Sequence, residues 1–152
     1  DKPHDLGCAG ENLNFLIVLP AEPIGVGATW RDRIQAPVTV ASGLTQNVTL
    51  QRTYQLAKID GNVATIALKT AVITPIKDPQ IEMQLMTKTP NGEIQFDVES
   101  GRLLSQRSAA AGLVVGPFNG QGQVQGSMET VERWLPGPAG VEPAKLETSA
   151  RN

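Results

Sequence analysis

The chain has 152 residues, with 13 lysines and arginines against 15 aspartates and glutamates, for a formal net charge of −2. At that length one domain is expected, burying about 68–70% of the surface of the unfolded chain, enough for a core without disulfides or metal. The cations are dispersed, which argues against nucleic acid as a partner; the single cysteine, Cys8, excludes an internal disulfide; and no run approaches the ~20 apolar residues of a membrane helix.

Residues 1–12 mix charge, proline and glycine and are expected to be flexible, as is the proline- and glycine-rich stretch 137–152. Within the first of these, "DLGCAG" has the outline of a lipoprotein cleavage box. Asp5 stands where an aliphatic residue is wanted, however, and no apolar segment precedes it, so Cys8 reads more simply as an incidental thiol. The chain opens on Asp1 without a signal peptide, as a processed or trimmed product would. Residues 13–136 remain as a single expected β domain.

That domain begins at "LPAEPIGVGATW", residues 19–30. Pro20 and Pro23 favour an extended approach, and Gly25 and Gly27 permit a bend before Trp30. A dinucleotide-binding loop would need a third glycine three residues on, opening a helix. Position 30 is tryptophan and "RDRIQAPVTV" reads as a strand, so the glycines are expected to form a turn or bulge that re-aims it. Trp30, Asp32 and Ile34 share one face of this strand. An acid beside a buried tryptophan requires a partner or a strand end in water. Arg31 and Arg33, on the other face, read as solvated or as cross-strand partners of carboxylates rather than as an anion grip.

Period-two alternation continues in "NVTLQRTYQLAKI", where Val48, Leu50, Tyr54 and Leu56 face one way. Arg52 interrupts that face, which predicts that burial ends there or that its guanidinium snorkels outward. Asn47 begins a formal glycosylation sequon, meaningful only in a eukaryotic secretory setting. Asp60-Gly61 signals a hairpin into "VATIALKTAVIT", with Ala64, Ile66, Leu68 and Val72 inward. "QIEMQLMTKT" is then expected as a strand with Ile81, Met83 and Leu85 inward, turning at Asn91-Gly92 into "EIQFDVES", with Ile94, Phe96 and Val98 inward. Ser100-Gly101 turns the chain again. "AAAGLVVGPFNGQGQ" fits either a strand flanked by a loop or a wide turn at a sheet edge. The last strand, "QVQGSMETVERWL", places Val124, Met128 and Trp134 on one face.

Little in this pattern suggests catalysis. His4 is the only histidine and no serine lies in a GxSxG elbow, so neither a triad nor a histidine metal site is supported. Glu93, Asp97 and Glu99 share a strand face on which adjacent side chains stand ~6–7 Å apart, suited to a calcium ion or a glycosidase pair, yet equally to a solvated sheet face. Met83, Met86 and Met128 would serve as adaptable walls if the sheet enclosed an apolar ligand. No catalytic, cofactor-binding or metal-ligating residue is assigned.

Leu19-Pro20, Pro23, Val26-Gly27 and Trp30, followed by "TYQLAKIDGNVATIAL" and "NGEIQFDVESGRL", resemble the C-terminal part of an uncharacterised bacterial family of exported domains of unknown function. Ala28-Thr29 departs from the acid that usually precedes the tryptophan there. The resemblance implies an antiparallel β architecture and an extracytoplasmic location, and brings no catalytic residue with it.

The expected fold is therefore all-β, a curved antiparallel meander forming a barrel or half-barrel, with Trp30, Tyr54, Ile66, Leu68, Leu85, Phe96 and Trp134 as its chief anchors. The expected role is that of a non-enzymatic binding or structural module outside the cytoplasm, in the periplasm, the cell envelope or the medium. Its partners would be an apolar small molecule or other envelope proteins. A carrier of lipid in a concave half-barrel and a subunit of a surface layer or filament are the alternative readings.

Overall fold

Alternating side chains and short polar turns build six antiparallel strands, which the computed structural model describes over residues 17–40 and 43–135. They are β1 (Thr29–Thr39), β2 (Thr45–Asp60), β3 (Val63–Val72), β4 (Asn91–Asp97), β5 (Arg102–Phe118) and β6 (Gln121–Arg133). One helix, α1 (Pro79–Leu85), lies between β3 and β4. The strands pair in chain order, so β1 and β6 are the edges and the sheet does not close into a barrel. The expected flexible segments 1–12 and 137–152, with His4 and Cys8, fall outside the described residues.

Register lines the inward residues up in rows across the sheet. Trp30 stands opposite Tyr54 and Tyr54 opposite Leu68, while Leu56, Ile66 and Ile94 form the next row. These residues, with Ala64 and the partly buried Phe96 and Leu103, make one apolar cluster. A second cluster joins Ala36, Val38, Val48 and Leu50 to Ile81 and Leu85 of α1. Full burial of each Val, Leu or Ile side chain among them contributes roughly 1.5–3 kcal/mol. Between the clusters runs a polar row, Asp32 opposite Arg52 and Arg52 opposite Thr70.

Residues 79–85 form a helix where a strand was expected. Ile81 and Leu85 sit four apart, a spacing that fits one helix face as well as one strand face. Local chemistry decides between the two. Asp78 caps the helix, its side chain accepting a hydrogen bond from the Gln80 amide at 2.8 Å, and Pro79 occupies the first turn, where its missing N–H costs nothing. The helix lies against β5 and β1, and its two inward residues join the cluster of Ala36, Val38, Val48 and Leu50.

Asn91-Gly92 consequently makes no turn; it opens β4. Gly92 lacks a side chain for a different reason, since a Cβ there would stand 2.1 Å from the Arg107 carbonyl oxygen of β5. The Asn-Gly hairpin of this chain is Asn119-Gly120, where both residues take positive φ (53° and 83°) and join β5 to β6. The stretch read as a strand or a wide turn is the distal half of β5. At the other predicted hairpin the turn residues are Gly61 and Asn62, between Asp60 and Val63, with Gly61 at φ 56°. Val72 and Val98, expected inward, are exposed, as are Met128 and Trp134 of the last strand region, so Trp134 is no core anchor.

Candidate functional site

The approach to β1 behaves as its glycines suggested. Gly27 adopts φ 91°, its amide donates to the Leu56 carbonyl at 2.7 Å, and the Ala28 amide donates to Gly25 at 3.1 Å. This turn delivers Trp30 onto Tyr54, with ring centroids 5.4 Å apart and planes 13° from parallel. Trp30 Nε1 donates to the Val18 carbonyl at 2.6 Å, tying the extended approach to the sheet. The segment is an anchor, with no helix behind it to receive a phosphate.

Arg52 neither ends the burial nor reaches water. It is buried and forms an ion pair with Asp32, with Nε donating to Oδ1 at 2.9 Å and to Oδ2 at 3.1 Å. Its Cζ also stands 5.8 Å from the Tyr54 ring centre. Burial acts against the Arg52 charge, but the hydrogen bond to Asp32 and the charges of its neighbours hold the guanidinium above its ordinary value. Burial likewise pushes the Tyr54 phenol up, with Arg52 opposing. Asp32 thus has the partner its position demanded, and the pair serves the interior; no cleft opens onto it among those described.

The carboxylate stripe disperses. Asp97 accepts from the Glu99 and Ser100 amides and from the Ser100 hydroxyl, closing the β4–β5 turn. These Ser100 hydrogen bonds hold the Asp97 carboxyl below its ordinary value. Glu99 accepts from the Asn62 side chain, and Glu93 stands opposite Arg107. Among the described residues no group of three or more histidine, cysteine, aspartate or glutamate side chains could hold a metal ion. Arg31 and Arg33 are exposed opposite Thr53 and Gln51 rather than carboxylates, and Asn47 is exposed opposite Pro37.

The feature that sequence reading missed is a gap in the sheet. β4 covers only Val63–Leu68 of β3 and Arg102–Ala109 of β5. The ladder stops there because the position opposite Thr70 falls to Pro90, which has no amide to donate. The Thr70 amide is satisfied instead by Asn91 Oδ1 at 3.1 Å. Beyond that point the end of β3 and the distal half of β5 border a cleft of about 500 Å³, within the ~300–1,000 Å³ usual for ligand sites. Val72–Ile76 form one wall, Ala111–Val114 the other, and Leu85 and Met86 the floor, with Glu82 the one charged residue of the lining.

Met86 shapes this floor. Gly112 and Gly126 stand opposite each other on β5 and β6, and a Cβ on Gly112 would lie 2.4 Å from Met86 Cγ. Of the three methionines expected as adaptable walls, Met86 lines this recess, as its floor, and Met83 does not. Met128, exposed, is not in the lining. A second hollow on β4–β6, lined by Glu93, Arg107, Glu129, Arg133 and Trp134, carries charges of both signs and an exposed Arg107–Glu129 pair. The signals that would have located the cleft are Asp78-Pro79 as a helix start and Pro90 as a ladder stop.

An open six-stranded antiparallel meander with one helix on its apolar face, and a largely apolar cleft where a central strand stops short, defines this chain as an all-β domain. It belongs to the family of unknown function DUF6263, which it matches over residues 12–103. That match takes in β1 to β4, α1 and the first two residues of β5. No curated protein and no solved structure matches the chain. No helix is long and apolar enough to cross a membrane, among the described residues.

Proposed function

We propose that this chain is a non-catalytic module that works outside the cytoplasm by binding a partner in the cleft between the β3–α1 connection and β5. The carrying observation is the make-up of that cleft: Val72, Ile76, Leu85, Met86 and Leu113 around a single carboxylate, Glu82. Such a surface supplies apolar contact and shape to a bound partner.

Curvature supports a half-barrel reading of the sheet. Register shifts at Leu56/Lys58, Gln95/Phe96 and Val115/Phe118, together with the close approach at Gly92, are the devices by which strands bend. The inner face is already occupied by α1 and the two apolar clusters, which favours the cleft over the concave face as the binding place. A lipid or other apolar carrier remains the second reading, favoured by the same apolar lining.

Two measurements test the proposal. A titration with small apolar fragments, followed by amide chemical shifts, should move Val72–Ile76 and Ala111–Val114 selectively; shifts spread evenly, or none, overturn the cleft as a binding site. Fractionation of cells making the natural full-length protein should place it outside the cytoplasmic fraction; recovery in the cytoplasm overturns the location.

A further inference from the structure

The backbone edges beside the cleft point to what fills it. Along β5, the Leu104 carbonyl accepts from the Trp134 amide, so even-numbered residues direct their backbone groups to β6. Odd-numbered residues therefore face the β4 side. Up to Ala109 that side is occupied by β4; from there Ala111, Leu113 and Val115 face the cleft instead. On β3 the Ile73 amide donates to Thr49 of β2, so Val72, one residue earlier, directs its N–H and carbonyl the other way, to the same cleft.

A row of alternating donors and acceptors repeating every two residues, ~6.6–6.8 Å, matches the backbone of an extended polypeptide better than any small molecule. Its surroundings select the kind of polypeptide. The cleft is bordered on both sides, floored by α1 and stopped at one end by Pro90, so a single strand enters but the edge of another folded sheet does not. The side chains of the entering strand alternate between the Leu85–Met86 floor and solvent. Glu82 in the lining favours a positive group.

We propose, building on the cleft-binding reading above, that the cleft accepts an extended segment of a partner polypeptide as an added strand along β5. That segment is apolar or uncharged at alternate positions and carries one basic residue that meets Glu82. It completes the ladder that Pro90 interrupts. Residues 136–152 of this chain are a poorer occupant, because Pro136, Pro138 and Pro143 supply no amide donors.

Amide hydrogen exchange tests this directly, with the acetylated, amidated peptide Lys-Thr-Val-Thr-Val-Thr as probe. In the free protein the amides of Ala111, Leu113 and Val115 should exchange at least tenfold faster than those of Ala110, Gly112 and Val114, which bond to β6. Saturation with the peptide should slow the first three at least tenfold and leave the others unchanged. A peptide N-methylated at alternate residues, or with glutamate in place of lysine, should bind at least tenfold more weakly. Leu113→Pro removes an edge amide that no strand of this chain uses, so it should abolish peptide protection while leaving the apolar-fragment shifts in place.

Slow exchange of all six amides in the free protein, protection absent at saturation, or equal binding of the N-methylated peptide would each overturn strand addition. Where fragments bind the cleft and the peptide fails, only strand addition falls. Where neither binds, the cleft itself is not a site. If Leu113→Pro does not fold, the N-methylated peptide decides alone.

Discussion

The first three strands and the far end of the β5–β6 hairpin have equally regular ladders and very different burial. In β1–β3, inward Ala36, Val48 and Leu50 are sealed by α1, and Tyr54 and Ile66 by neighbouring rows and by Ile17, Ile24 and Trp30. In the hairpin, β5 buries Ala110, Val114 and Pro117 while β6 has no buried residue, although the two strands pair continuously from Ser105 opposite Arg133 to Val115 opposite Gln123. Hydrogen-bonded pairing is thus common to both regions. What separates them is how far cover reaches: α1 lies over β5, with Met86 against Gly112 and Gly126, but no side chain of β6 is buried. Stability should therefore concentrate at the β1–β3 end, leaving the hairpin and the cleft beside it free to respond to a partner.

The sharpest break in that comparison comes from the polar row. Asp32→Ala deprives the buried Arg52 charge of its carboxylate and should cost about 3–5 kcal/mol in urea-induced unfolding. Replacing both, as Asp32→Leu with Arg52→Met, should recover most of that loss, because a well-packed apolar pair of similar volume removes the need to solvate either charge. A double variant as unstable as the single one would mean that the row holds the clusters in register by more than charge pairing.

Apolar truncation compares the covered face of the sheet with its solvent face. Leu50, fully buried, should lose about 2–5 kcal/mol as Leu50→Ala, whereas Leu113→Ala should stay within about 0.5 kcal/mol. Equal losses at the two sites, measured by the same denaturant titration, would mean that Leu113 is not on the solvent face of β5.

Glycine substitutions come next. Gly92→Ala forces a methyl against the backbone of β5, which cannot yield locally, and should cost about 3 kcal/mol, the upper end of overpacking effects. Gly112→Ala meets only the flexible end of Met86 and should cost about 1 kcal/mol, with Met86→Ala in the same chain relieving the clash. The two glycines look alike in sequence; the rigidity of what they face separates them.

That separation also marks how much was legible beforehand. Alternation placed Val48, Leu50, Tyr54, Leu56, Ala64, Ile66 and Leu68 on the buried face correctly, because in β1–β3 a polar outward residue follows nearly every apolar inward one. Ile81 and Leu85 were ambiguous in period, and the capping pair Asp78-Pro79 carried the deciding signal. Asn91-Gly92 misled because glycine serves close approach as readily as a turn. Arg52 misled because its partner, Asp32, lies 20 residues away and only register brings them together. The cleft was invisible for the same kind of reason: it arises from the difference in length between three strands, which depends on where Pro90 falls against Thr70.

The smallest effect tests the exposed end of the structured half. Asp97 closes the β4–β5 turn, and its carboxyl is held below the ordinary range by the Ser100 hydroxyl and by the Ser100 and Glu99 amides. Because the folded value is depressed, the turn's contribution is present above the ordinary carboxylate range and fades as pH falls through the folded value. Ser100→Ala removes the side-chain donor and leaves both amides, so the Asp97 titration followed by NMR should move upward only part of the way to its ordinary value. The stability of the β1–β3 clusters should not change measurably, since the side chain is solvent-screened and lies outside both of them. A full return to the ordinary value would assign the whole depression to the hydroxyl. An unchanged value would assign it to the backbone alone, making this turn a feature of chain geometry that the serine merely decorates.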